Sequence, residues 1–195
     1  MAKINPQRII GKWQSGIALD LHTLSSIYLG VNEFGHEVYD TTRSELGELL
    51  YRLKYKGDMA AAQQIVDAAA TFLAPHRDKI DVIVPVPPSG ERAVQPVITL
   101  ASGVGAKLGI PVANCITTTR PTTALKVVLD PDKRKELLHG LYTVDATQTN
   151  GKKILLFDDL FRSGATMNAI TELLTITGKA SAVRVLTITR TRSNQ

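Results

Sequence analysis

The chain has 195 residues, 44% of them hydrophobic and 21% charged, with a net charge of +5 and a pI near 9.4. Such a balance suits one soluble domain with a sizeable core, alone or with a small appendage, and no apolar run approaches the ~20 residues of a membrane-spanning helix. The lone cysteine, Cys115, excludes an intrachain disulfide and a Cys-rich zinc site, and without an apolar run near Met1-Ala2-Lys3 to read as a leader, a cytoplasmic location is the default.

In chain order, Gly16 to His22 opens a β-rich region. Ser26 to Val31 and His36 to Asp40 flank a polar turn at Asn32-Glu33-Phe34-Gly35, which predicts a hairpin. Thr42-Arg43-Ser44-Glu45 fits a capping box, and Leu46, Leu49, Leu50 and Leu53 recur at helical spacing, so an amphipathic helix is expected over 43–54. Gly57 closes it and Asp58 caps a second helix running to Leu73. Residues 1–45 are thereby expected to form a β-rich appendage, and 46–195 the main domain.

Beyond residue 76 strands and helices alternate. Asp81 to Val84 reads as a strand ending at Pro85, Val94 to Leu108 as a helix closed by Gly109, and Val112 to Ile116 as a strand that buries Cys115. A long polar connection over 117–130, a short helix over 131–138 and a small strand at Tyr142-Thr143-Val144 follow. Lys153 to Phe157 is the strongest strand, followed by a helix from Ala165 to Ile176 and a last strand at Val183 to Ile188. Nearly continuous apolar strands between helices predict an α/β fold with a mostly parallel sheet, flanked on both faces. In such sheets ligands bind at the carboxyl ends of the strands.

There the sequence reads Ile154-Leu155-Leu156-Phe157-Asp158-Asp159-Leu160-Phe161-Arg162-Ser163-Gly164-Ala165-Thr166. Two carboxylates at the strand's exit need a cleft and partners. Because strand residues alternate in direction, only one of them faces a given ligand, and the other bonds to backbone, metal or water. Small and hydroxyl residues at the next helix start leave N–H groups open to an anion, with the helix dipole adding positive potential. Ribose 5-phosphate has the matching spacing of phosphate and vicinal hydroxyls. The plain alternative is an ordinary strand–turn–helix, with Asp159 or Ser163 capping the helix.

This run resembles the phosphoribosyl-diphosphate (PRPP) signature of type I phosphoribosyltransferases. The resemblance implies that fold, ribose binding and catalysis by Asp158 and Asp159, and phosphate binding by Arg162, Ser163, Gly164, Ala165 and Thr166. It implies a diphosphate loop after the first strand of the second region, at Pro87, Pro88, Ser89, Gly90 and Arg92, and a flexible loop carrying Arg120 and Lys126. Mg2+ is the implied cofactor, with Asp158 or Asp159 helping to hold it, and homodimers are common in the fold. Leu53 to Asp58, Pro85-Val86-Pro87 with Arg92 and Gln95, and Leu108 to Val112 resemble the ComF-like, amidophosphoribosyltransferase-like branch. A cysteine zinc module, frequent in ComF-like proteins, cannot be built from one cysteine.

The expected activity is transfer of phosphoribosyl from PRPP to an unidentified nitrogen nucleophile, with residues 1–45 as a candidate hood over the acceptor. The alternative is a non-catalytic PRPP- or nucleotide-binding, competence-related protein associated with DNA, which the net charge also fits. Tyr51 to Lys56 resembles a basic nucleic-acid patch, but the helical pattern assigns its cations to a wet face. His22, His36, His76 and His139 lack metal-ligand spacing and are read as structural or surface residues.

Overall fold

The computed structural model describes residues 2–88, 90, 94–120 and 137–192. Its strands are β1 (Gln7–Arg8), β2 (Ser15–Leu21), β3 (Thr23–Val31), β4 (Glu37–Arg43), β5 (Val82–Pro85), β6 (Ile116–Thr118), β7 (Tyr142–Val144), β8 (Lys153–Phe161) and β9 (Ala182–Arg190). The helices are α1 (Glu45–Lys56), α2 (Met59–Leu73), α3 (Pro96–Leu108) and α4 (Ala165–Ile176).

The central sheet has the order β1-β2-β9-β8-β5. Its three inner pairings, β2 with β9, β9 with β8 and β8 with β5, run parallel, and the short edge strand β1 pairs with β2 antiparallel. Parallel strands are buried on both faces, which is why β5 reads Val-Ile-Val-Pro without a polar residue. Side chains alternate between two cores. Leu155 and Phe157 join the leucines of α1 and the apolar faces of α2 and α3. Ile154 and Leu156 join Met167, Ile170 and Leu174 of α4, together with Trp13 and Cys115. The expected α/β fold, with helices on both faces, is the one observed.

Three details differ from the sequence expectation. First, β1 and β2 belong to the central sheet, with Ile17 opposite Leu186 and Ala18 opposite Thr187. Of the appendage expected over 1–45, only the β3–β4 hairpin stands outside that sheet. Second, the strand expected at Val112 to Ile116 shrinks to a single bridge between Ile83 and Val112. Pro111 has no N–H to extend the ladder, and Ile116–Thr118 turns away to pair with β7. Third, β8 continues to Phe161, so the acidic pair lies within the strand. The helix expected over 131–138 falls mostly outside the described residues.

The cap of α1 is also displaced. Thr42 stays paired with Ser25 in the hairpin, so the chain first leaves the strand at Ser44, whose Oγ accepts the Gly47 N–H at 3.0 Å and donates to the Leu21 carbonyl at 2.5 Å. One hydroxyl thus caps α1 and ties it to the end of β2. Ser44→Ala is expected to cost about 1 kcal/mol, a Tm lower by roughly 2–4 °C, measurable by thermal unfolding. An unchanged Tm would show that neither bond matters.

Candidate functional site

At the carboxyl end of β8 the alternation places the two acids on opposite faces. Asp159 continues the Leu155–Phe157 side, where α1 packs, and its Oδ2 lies 2.8 Å from the Lys54 ammonium. Both side chains are largely buried, at 15% exposure for Lys54 and 14% for Asp159. Lys54 was expected on the wet face of its helix. It turns inward instead, because a helix packed on the sheet by Leu46, Leu49, Leu50 and Leu53 carries residue 54 past the strand ends.

Asp158 continues the Ile154–Leu156 side. Its Oδ1 accepts the Asp159 N–H at 2.8 Å, so one member of the pair bonds to backbone, as alternation required. Burial, and then the neighbouring Asp159 charge, raise the Asp158 carboxyl from its ordinary 3.8 to about 8, against the opposing pull of the Asp159 N–H and Lys54. Thr187 stands beside it in register, and its buried hydroxyl makes no hydrogen bond among the described residues.

The turn after β8 leads directly into α4. Gly164 is the N-cap, with φ +75°, and among the described residues no side chain caps the helix. Neither Asp159 nor Ser163 therefore performs the capping that the plain strand–turn–helix alternative required. The first N–H groups of α4 have no intrahelical acceptor, and Arg162 and Ser163 are exposed beside them. A Cβ on Gly164 would come within 2.9 Å of the Phe161 ring and 3.6 Å of the Trp13 ring. The turn is thus backed by Trp13, which packs edge-on against Phe161 at 6.2 Å and donates its indole N–H to the Ile9 carbonyl. The sequence reading did not single out Trp13.

The loop after β5 leaves the sheet beside this turn. The Val86 N–H bonds to the Phe157 carbonyl at 2.9 Å, one residue before Asp158. Pro87, Pro88 and Gly90 follow Val86 in the chain, and Gln95 donates its side-chain N–H to the Gly90 carbonyl at 3.1 Å. Ser89, Arg92 and Lys126 lie outside the described residues. Arg120 is exposed, and its Nη2 donates to the Leu137 and His139 carbonyls at 2.9 and 3.0 Å. In this arrangement it fastens the two flanks of segment 121–136 to each other.

Two further polar residues of β2 and its exit stand at this end of the sheet. His22 shares a 3.1 Å hydrogen bond with Thr189, whose hydroxyl donates to the Asp159 carbonyl at 3.3 Å. Burial, then Lys54 and Arg43, lower the imidazole pKa, while Asp159 opposes them. Asp20 is in register with Thr189, and burial raises its carboxyl despite the Leu21 N–H and the Ser44 hydroxyl. Both read in sequence as parts of a β run, since only the placement of β2 next to β9 brings them here.

The acidic pair does not fit a protein-held Mg2+. The two carboxylates lie on opposite sides of the strand, Lys54 takes one of them, and the described residues contain no cluster of three or more His, Cys, Asp or Glu suited to a metal. Among the described residues no helix is long and apolar enough to cross a membrane.

No protein-family model matches the chain. Among solved structures, adenine phosphoribosyltransferase of Trypanosoma brucei, in complex with AMP, pyrophosphate and ribose-5-phosphate, aligns with a TM-score of 0.51 at 14% identity, covering 94% of this chain and 73% of that one. The glutamine PRPP amidotransferase of B. subtilis aligns at a TM-score of 0.46 and 18% identity, over 76% of this chain and 28% of its own. Together with the sheet order and the strand–turn–helix at Asp158–Thr166, the likeness to the first of these establishes the type I phosphoribosyltransferase fold. In sequence the chain is similar to competence protein ComFC of Bacillus subtilis, 27% identical over 158 residues, which is 77% of this chain and 62% of that protein.

Proposed function

We propose that the chain binds PRPP and transfers its phosphoribosyl group to a nitrogen nucleophile. The observation that carries the reading is the adjacency of the Asp158–Asp159 pair to the start of α4, whose N-cap Gly164 lies three residues beyond Phe161 and supplies no side-chain cap. In this reading the open N–H groups at Gly164, Ala165 and Thr166, with Ser163 and Arg162, take the 5-phosphate. Asp159 accepts from the ribose hydroxyls, and Asp158, on the other face of β8, steadies the Asp159 backbone by accepting its N–H. The loop at Pro87, Pro88, Ser89, Gly90 and Arg92 takes the diphosphate, and Arg120 and Lys126 belong to the segment that closes over it.

The reaction breaks the bond from the anomeric carbon to the diphosphate oxygen and forms a bond to the incoming nitrogen, with the bonding pair leaving on diphosphate. The protein's part is to hold the ring, to align the nucleophile and to meet the charge that develops on the leaving group. In this reading the acidic pair is not assigned a Mg2+ ion. The β3–β4 hairpin begins at the same end of the sheet, and exposes Ile27, Tyr28, Leu29, Phe34 and Tyr39. It is the hood candidate that would cover the acceptor.

Calorimetric titration with PRPP and Mg2+ tests the reading on the wild type and on Asp158→Asn/Asp159→Asn. A loss of about thirtyfold or more in affinity is expected, since hydrogen bonds to charged groups are worth roughly 1.5–3 kcal/mol each. A correctly folded wild type that fails to bind PRPP would sink it. The similarity to a competence protein and the net charge of +5 favour a second reading, a non-catalytic PRPP or nucleotide sensor that contacts DNA. That reading predicts steeply salt-dependent DNA binding and no loss of PRPP in the presence of added bases.

A further inference from the structure

Paired carboxylates at a strand end usually invite a divalent ion, which takes one or two of them and keeps several waters. Here α1 has placed a cation of its own at that point. Lys54 stands in the last turn of α1, where a lysine ordinarily reaches solvent near the helix carbonyls. Its side chain is instead only 15% exposed, and its ammonium meets Asp159 Oδ2 at 2.8 Å. Asp158 points to the other side of the strand and spends Oδ1 on a backbone N–H. A single ion therefore cannot bridge the two acids without displacing the lysine and turning one carboxylate around. Asp159 Oδ1 has no protein partner among the described residues, so the ion pair leaves one acceptor for a ligand hydroxyl.

We propose that Lys54 is the resident cation of the sugar end of this site. It occupies the position a protein-bound divalent ion would need and orients Asp159 toward a hydroxyl-bearing ligand. Lys54 is a positioning residue acting through Asp159. The hydroxyl ligand rests on the phosphoribosyl reading, whereas the exclusion of the metal does not.

The test is Mn2+ binding to the ligand-free protein, followed by electron paramagnetic resonance. Wild type is expected to show no binding below millimolar Mn2+. Lys54→Met is expected to bind Mn2+ at least about tenfold more tightly, because removing a unit charge in contact with the carboxylate changes the local potential by more than that factor. The gain should vanish in Lys54→Met/Asp159→Asn, and Lys54→Arg should behave as wild type. Micromolar Mn2+ binding by wild type overturns the proposal without any variant, so a poorly folding Lys54→Met does not shield it. An unchanged Mn2+ affinity in folded Lys54→Met also overturns it. PRPP titration of the same proteins is read separately: loss of affinity in Lys54→Met with retention in Lys54→Arg supports the orienting role, and equal PRPP affinity in wild type and Lys54→Met overturns it. Absence of PRPP binding in wild type defeats the phosphoribosyl reading while the Mn2+ results still decide the place of Lys54.

Discussion

Gly47→Ala is expected to lower the unfolding free energy by about 2–3 kcal/mol. A Cβ at this position would stand 2.1 Å from the His22 carbonyl oxygen and 3.0 Å from its carbon. The obstacle is backbone at the end of β2, which cannot rotate aside as a side chain could. A backbone oxygen at 2.1 Å puts the cost at or above the top of the roughly 1–3 kcal/mol typical of overpacking, and alanine's better helix propensity returns at most about 1 kcal/mol. α1 must therefore move outward, straining the Ser44 bonds to Leu21 and Gly47 and withdrawing Lys54 from Asp159. The expected Tm falls by roughly 4–12 °C. A melting curve that overlays the wild type would show that α1 does not rest on His22 as closely as the structure has it.

Asp158→Asn should act in the opposite direction on stability. The Asp158 carboxyl is raised from 3.8 to about 8 in the folded protein. Between those values the folded state holds a proton that the unfolded chain has released, so unfolding sheds a proton and stability falls as pH rises. The stabilising contribution is complete below the unfolded value of 3.8 and is lost as pH climbs through about 8. Asparagine does not titrate, and its Oδ1 still accepts the Asp159 N–H. The variant should gain on wild type progressively, by on the order of 2–3 kcal/mol at pH 8.5, given about 1.4 kcal/mol per pKa unit and partial solvent access at the strand end. His22 carries the reverse linkage, since its lowered pKa costs stability as pH falls, but it is common to both proteins and cancels in the difference. Paired thermal melts at pH 5 and 8.5 check this. Parallel pH profiles for wild type and variant would show that Asp158 ionises normally.

Much of the architecture was legible because the signals were local. The Leu46–Leu53 spacing, the Gly57 stop and the Asp58 cap act over a few residues, and each reappears in α1 and α2. Apolar runs at 82–85, 153–157 and 183–188 are buried strands because continuous hydrophobic residues suit a sheet covered on both faces. The displaced cap at Ser44 shows the limit of the same logic. Thr42 and Ser44 offer similar hydroxyls, and the choice between them depended on how far the hairpin ladder ran.

By itself the sequence determined the strand from Lys153 to Phe157, the acidic pair after it and the turn into a helix, since these residues are contiguous and act through local pattern, whereas the run-on to Phe161 and the uncapped start of α4 came from the structure. Tertiary structure alone decided what the acids face. β2 joins the sheet beside β9, bringing Asp20 and His22 to the site, because parallel pairing has no turn to mark its partners in the chain. Lys54 meets Asp159 because α1 lies on that face of the sheet, held there by buried leucines and by a glycine at position 47 that admits the His22 carbonyl. A lysine one turn from a helix end looks the same in sequence whether it faces water or a carboxylate, and only packing distinguishes the two.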